Sequence, residues 1–460
     1  MNPTYDMPQN YYFGGAVDTF VTPLAILVLL LSIILLIALP RRYAVVAFLG
    51  GAMLLPYTLK LVIGPLHLFF FRLLLLAGGV RYLVRRDLRI RLTLLDKVFL
   101  AWAISNAVTF SLLWHDLSAF LNRCSFLYVT LGSYFLLRGL IRDKRDALLA
   151  IRVLAVLVTV IAPFMLMEHF TGHNPFAILG AQALSSVREG RIRAGGPFGH
   201  AIIAGSVGAM LVPLFLGLWC EGRRERMLAA VAILAAMVMM VTCASSTPVL
   251  TIAMGVGAFL LWPLRRHLRA FRWTIVVTLV TLQLVMKSSV WFLMSHLGGV
   301  MGGSGWHRAM LIDTFVHKFG EWWLIGTQNN AKWGYDMWDS LNAFVNAGIE
   351  GGLITFVLFI SVFVFAYKRI GLARKRAEKA RQKPDALLLW AVGCCILANN
   401  VAFFGITYFD QSVVAWYAVL AITAVANTFA AANQPPLMFH KSGSVEPAPE
   451  RLRTLASVMQ

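Results

Sequence analysis

The chain has 460 residues, of which 59% are hydrophobic, and its mean hydropathy is +0.73. Those values exclude an ordinary soluble globular protein and place the chain among membrane proteins. A net charge of +20 suggests a nucleic-acid binder at first sight, yet Lys and Arg sit in short clusters between apolar runs, where membrane orientation selects for them. No nucleic-acid partner is expected.

From the N-terminus, Met1 to Phe20 lacks the basic start of a cleaved signal peptide, so the first apolar run is expected to stay. Apolar runs then follow at 21–39, 44–63, 66–83, 98–115, 119–137, 147–167, 200–219, 228–244, 247–262, 273–290, 349–367, 386–405 and 411–431. In hydrocarbon only helices or closed barrels satisfy every backbone amide, and barrel-type alternation is absent, so these runs predict spanning helices. The fold class is all-α: a polytopic transmembrane bundle of about 12–13 spans forming one domain over 1–431. The tail at 432–460, with Pro435, Pro436, Gly443 and Pro447, is predicted to be disordered.

Arg41–Arg42, Arg81–Lys97, Arg138–Arg145, Arg223–Arg226, Arg265–Arg272 and Lys368–Lys383 hold most of the 41 basic residues. They alternate with poorly charged loops, which predicts that these six segments share the cytoplasmic side. The outer side then receives two long loops, at about 168–199 and 291–348. The second carries six of the 13 tryptophans, so it is expected to be folded. Within it Leu311, Phe315, Phe319 and Trp322 recur at helical spacing, predicting an amphipathic helix over 308–323 on the outer leaflet, with membrane lipids as partners.

Acidic residues fall in loops or at span ends, with Glu168 and Glu350 nearest the membrane, which disfavours an ion-coupled transporter. The outer loops offer Arg188, Arg191 and Arg193 in the first and Arg308 in the second. A guanidinium clamps phosphate through two parallel hydrogen bonds and stays charged at any pH, so these residues suit either a lipid-linked diphosphate or ordinary phospholipid headgroups. Ser245–Pro248 lies at an outer helix boundary and reads as close helix packing. The five cysteines and the histidines show no metal-ligand spacing; no metal and no cofactor is expected.

Short motifs then follow in order: Arg193-Ala-Gly-Gly-Pro-Phe-Gly-His-Ala at 193–201, Trp306-His307-Arg308, Leu324-Ile325-Gly326-Thr327, Asp339-Ser340-Leu341-Asn342, and Gly348-Ile-Glu-Gly-Gly-Leu353. With these, the chain resembles the O-antigen ligase-like superfamily over roughly residues 150–367. That family includes O-antigen ligases and the polymerases of O-antigen and exopolysaccharide repeat units. The resemblance implies a glycosyltransferase of the bacterial inner membrane, active at its periplasmic face. It would take glycan from an undecaprenyl-diphosphate-linked oligosaccharide and pass it to an acceptor hydroxyl, without metal or nucleotide sugar. Other envelope polysaccharide synthesis proteins are then candidate partners.

By motif, Arg193 and Arg308 are implied to hold the diphosphate. Where the ligases carry a histidine before asparagine, this chain has Leu341 before Asn342. Leucine accepts no proton, so Asp339 is the first candidate base, with His317, Glu321 and Asp336 behind it; a helix cap is the competing role for Asp339. The departure favours a polymerase over a ligase. Arg191, His200, His307 and Asn342 complete the candidate substrate-binding set, with a cap or turn as the alternative for Asn342. A flippase for lipid-linked glycan and a non-catalytic scaffold are the competing functions.

Overall fold

The computed structural model describes residues 19–63, 66–86, 90–188, 190–295, 305–334, 337–338, 340–409 and 412–429. Asp336, Asp339, the start of the chain and the tail at 432–460 lie outside them. The described chain is predominantly helical, with two small hairpins. Seven helical segments are long and apolar enough to cross a membrane: Leu94–Trp114, Lys144–Thr171, Ala201–Trp219, Arg223–Thr242, Trp262–Val285, Ala343–Lys379 and Lys383–Phe403. Shorter apolar helices cover Pro23–Ala38, Ser246–Leu260 and Ser412–Ala424.

In chain order the helices are α1 (Pro23–Ala38), α2 (Arg41–Leu54), α3 (Phe70–Arg85), α4 (Leu94–Trp114), α5 (Leu117–Leu140), α6 (Lys144–Thr171), α7 (Ala201–Trp219), α8 (Arg223–Thr242), α9 (Ser246–Leu260) and α10 (Leu268–Val285). After the described break come α11 (Gly305–His317), α12 (Phe319–Trp322), α13 (Ala343–Lys379), α14 (Lys383–Phe403) and α15 (Ser412–Ala424). Every apolar run of the sequence therefore contains a helix. Two runs are not helical throughout, however: α2 stops at Leu54, ahead of Pro56, and Lys60–Ile63 pairs antiparallel with Leu66–Phe69. Apolar strand and apolar helix look alike in a hydropathy profile, which is why 44–63 and 66–83 read as two whole spans.

Local signals set the ends. Thr93 opens α4 with a capping box, its hydroxyl accepting from Asp96 N while the Asp96 carboxylate accepts from Thr93 N. Asp143 caps α6, which ends at Gly172 in the left-handed conformation. Apolar side chains such as Leu83 and Leu284 cover the outside of the bundle, and α10 buries none of its residues. Such a surface is what a hydrocarbon solvent accommodates.

All six basic segments meet at one end of the bundle. Arg41 donates to Asp146 and to the Leu140 carbonyl, while Arg138 pairs with Asp96, which also accepts from the Tyr134 hydroxyl. Lys144 bridges Glu221 and Asp385, Arg152 meets Glu225, and Arg265 meets Glu378. Arg81 is fully buried and donates to the Leu36 and Leu39 carbonyls at the end of α1. The side alternation read from the sequence thus corresponds to one physical end of the bundle.

The opposite end carries the loops. In place of one helix over 308–323 there are two, α11 and α12, broken at Lys318. Leu311, Phe315 and Trp322 are buried in a second small core with Trp333, Met337, Val345 and Ile349, whereas the break turns Phe319 outward. Helix α13 is itself broken, because Gly352 has φ 70°. At the break Leu353 N donates to Trp323 O and Thr327 N to Ile349 O, and a Cβ at Gly352 would collide with the Leu324 carbonyl. The Leu324–Thr327 and Gly348–Leu353 motifs therefore interlock, and their glycines are needed for the approach.

Desolvation offsets much of the attraction within each buried pair, but removing one partner strands the other. Asp96→Asn leaves Arg138 buried without its counter-charge, and the expected loss is about 3–5 kcal/mol. A detergent-solubilised thermal melt indistinguishable from that of the unsubstituted chain would contradict it.

Candidate functional site

A cavity of about 770 Å³ opens inside the loop-bearing end, between α4, α5, the first outer loop, the start of α13 and the segment joining α14 to α15. Its floor is aromatic. Trp102 lies against Phe126 and Phe359, with ring centroids 6.0 and 5.2 Å apart, and Phe403 against Trp416 at 5.3 Å. Its rim is cationic through Arg188 and Arg193, with His200 beside them among the lining residues. This division suits an amphiphile, with an apolar chain below and an anion above.

The rim is built from the 193–201 motif. Strands Ser186–Arg188 and Arg191–Arg193 form a hairpin that places Arg188 opposite Arg191. Ala194 N donates to Thr242 O and Arg193 Nε to Cys243 O, at 3.0 and 3.2 Å, which docks the hairpin on the end of α8. Buried Glu168 then grips the turn that follows: its carboxylate accepts from Gly195 N, Gly196 N and the Ser185 hydroxyl at 3.0, 2.8 and 2.9 Å. Gly196 has φ 58°, which glycine adopts without strain. Asn174 Nδ2 donates to Gly196 O and completes the fixation.

His200 caps α7, its Nδ1 accepting from Ile202 N at 3.2 Å. The residue as a whole is exposed, yet the protein packed around the ring desolvates it, and this, then the charges of Arg193 and Arg188, pulls its pKa below the ordinary histidine value. At neutral pH the ring is therefore uncharged, and with Nδ1 engaged as acceptor its proton sits on Nε2 as a donor.

Arg308 approaches from α11. A Cβ at Gly405 would lie 3.2 Å from its guanidinium carbon and 2.7 Å from Thr247 Oγ1, so that glycine gives the guanidinium its room. Arg308 Nε and Thr247 Oγ1 are both buried with no hydrogen-bond partner among the described residues. Burial, followed by the charge of Arg188, lowers the Arg308 pKa. Arg188 thus couples electrostatically to both Arg308 and His200 and joins the two loops. An anion at this point would relieve the mutual repulsion and supply the missing hydrogen bonds.

The remaining candidates lie elsewhere. Arg191 is exposed and does not line the cavity. His307 is half-buried on α11, and His317 is exposed on the same helix, 3.4 Å from Asp313. Glu321 accepts from Lys318 and from Trp333 Nε1 on the loop surface, and the Lys318 bond is the main reason its carboxyl stays below the usual range. Asn342 is the N-cap of α13, accepting from Phe344 N and Val345 N. Leu341 does line the cavity.

Sequence reasoning passed over Arg123 and noted Glu350 only as an acid near the membrane. Arg123 of α5 donates to Asn106 Oδ1 at 2.9 Å and to Glu350 Oε2 at 3.0 Å, and its guanidinium lies 3.5 Å from the Phe110 ring centroid. The lone arginine interrupting an apolar run was the available signal. Glu350 lines the cavity from the short first part of α13, just ahead of the break at Gly352. Among the described residues no three His, Cys, Asp or Glu side chains gather as a metal site. No protein-family model matches the chain, and no curated protein does either.

Two measurements check this geometry. In Arg193→Ala the His200 pKa, followed by NMR of labelled histidine, should rise towards the ordinary value, because a repelling cation has gone; an unchanged pKa would refute the coupling. In Glu168→Ala, amide exchange at Gly195 and Gly196 should accelerate by about tenfold or more, since two buried donors lose their acceptor. Unaltered exchange there would show that the turn holds without the carboxylate.

Proposed function

We propose that the chain is a membrane glycosyltransferase that polymerises or transfers undecaprenyl-diphosphate-linked glycan at the periplasmic face of the bacterial inner membrane. The observation that carries this reading is an aromatic cavity inside an apolar helical bundle, lined at its outer end by Arg188, Arg193 and His200, with the part-buried Arg308 beside Gly405 and within the field of Arg188. The polyprenyl chain lies against the aromatic floor, and the diphosphate lies between the arginines of the two outer loops. As the glycosyl bond breaks, the leaving diphosphate gains negative charge, which prepositioned guanidinium groups stabilise most in the transition state. His200 adds an Nε2–H donor without adding charge.

The order of the short motifs supports the same assignment, since Arg193 and Arg308 are the two positions matching the ligase-like arginines; Arg193 lines the cavity, and Arg308 lies beside Gly405, next to the lining residue Ile406. Leu341 on the cavity wall, where the ligases have histidine, supports a polymerase. The flippase reading has less support: Arg41, Arg138, Lys144 and Arg152 at the other end are paired with carboxylates.

The test is polysaccharide chain length, resolved on gels, in cells whose only copy carries Arg308→Ala or Arg308→Lys, with membrane abundance checked. Product arrested at single repeat units, poorly rescued by lysine, is expected of a bidentate phosphate clamp. Long chains at normal abundance would remove Arg308 from the mechanism, and repeat units trapped on the inner side would favour a flippase.

A further inference from the structure

Glycosyl transfer to a hydroxyl needs somewhere for the hydroxyl proton to go, and the cavity wall offers few choices. Leu341 accepts none. His200 has its Nδ1 engaged by Ile202 N and its proton on Nε2. The lining arginines are cations, and His317 and Glu321 lie outside the cavity. Among the described residues that line it, Glu350 is the one carboxylate.

We propose that Glu350 is the general base of the cavity, taking the proton of the acceptor hydroxyl, with Arg123 and Asn346 holding its carboxylate in position; this rests on the glycosyl-transfer reading above. Glu350 Oε2 accepts from Arg123 at 3.0 Å, and Oε1 accepts from Asn346 Nδ2 at 3.1 Å. Both partners are themselves oriented. Ser340 donates to Asn346 Oδ1 at 2.7 Å, which turns the amide nitrogen towards Glu350. Asn106 and the Phe110 ring fix the Arg123 guanidinium. Each carboxylate oxygen carries two lone pairs and uses one here, so each retains one for an incoming O–H. Its side chain is 16% exposed, enough to be reached from the cavity.

The step balances. The acceptor oxygen bonds to the anomeric carbon as the bond from that carbon to the diphosphate oxygen breaks. The diphosphate departs with the bonding electron pair and is held by the rim arginines, the hydroxyl proton moves to Glu350, and water later removes it. Ser340, Leu341, Asn346 and Glu350 all line this cavity, so the base is on the wall that also carries the position the ligases give to histidine.

The experiment uses the full chain in lipid nanodiscs, with a synthetic undecaprenyl-diphosphate-linked oligosaccharide as donor and acceptor, and follows turnover against pH alongside donor binding. Glu350→Gln keeps an acceptor for Arg123 but cannot take a proton. Turnover should fall about 10²–10⁴-fold with donor affinity within about threefold, and the acidic limb of the pH profile should vanish. Glu350→Asp should recover part of the rate with a displaced acidic limb. Turnover of Glu350→Gln within about threefold of the unsubstituted chain overturns the proposal, as does loss in Asp339→Asn with Glu350→Gln intact. If Glu350→Gln does not accumulate, Glu350→Asp decides, and an undisplaced acidic limb counts against the proposal. Absence of turnover in the unsubstituted chain with this donor defeats the functional reading instead, and the two failures are thereby distinct.

Discussion

Charge buried in a low-dielectric bundle must be matched, and here the matching is concentrated at one end. The partners come from helices distant in sequence: Arg41 with Asp146, Lys144 with Asp385, Arg265 with Glu378. An isolated buried ion costs several kcal/mol, so a helix placed in the wrong slot would strand one. The pairing therefore helps to select which helices are neighbours, where apolar side chains alone would tolerate several arrangements in lipid. Among the described residues the other end of the bundle has fewer such pairs, Arg123 with Glu350 being the buried one, and there the loops and the cavity are found.

The loops are held by backbone contacts more than by charge. The 193–200 turn hangs on three acceptors, the carbonyls of Thr242 and Cys243 and the carboxylate of Glu168. The second loop hangs on the break in α13, where two backbone bonds replace those the helix has lost. A site assembled in this way has its guanidinium groups on segments whose own amides are satisfied, which favours pre-organisation.

Much of this was legible in the sequence, for reasons that vary between elements. Hydropathy located a helix in each apolar run, and the alternation of basic clusters located the end at which they meet. Arg193 and His200, singled out as polar residues at the outer mouth of a span, do line the cavity, whereas Arg308 is not among its lining residues. The hairpin at Lys60–Phe69 was concealed because its residues are as apolar as a span. The pairing of Arg123 with Glu350 was concealed for another reason: they are 227 positions apart, and no spacing rule relates α5 to α13 before the bundle is packed. Asn342 could be read either as a ligand or as a cap, and only the bonds to Phe344 N and Val345 N separate the two.

The left-handed glycine at 352 divides α13 into unequal parts. Asn346 and Glu350 belong to the short part, which is fastened to the loop through Thr327, whereas the residues beyond Leu353 belong to the bundle. Helical hydrogen bonding would otherwise transmit any tilt of the first turns along the full 37-residue helix. The break uncouples them. The short part therefore takes its direction from the loop and from Arg123, which together set the place of the carboxylate, while the long part keeps the direction of its neighbours in the bundle.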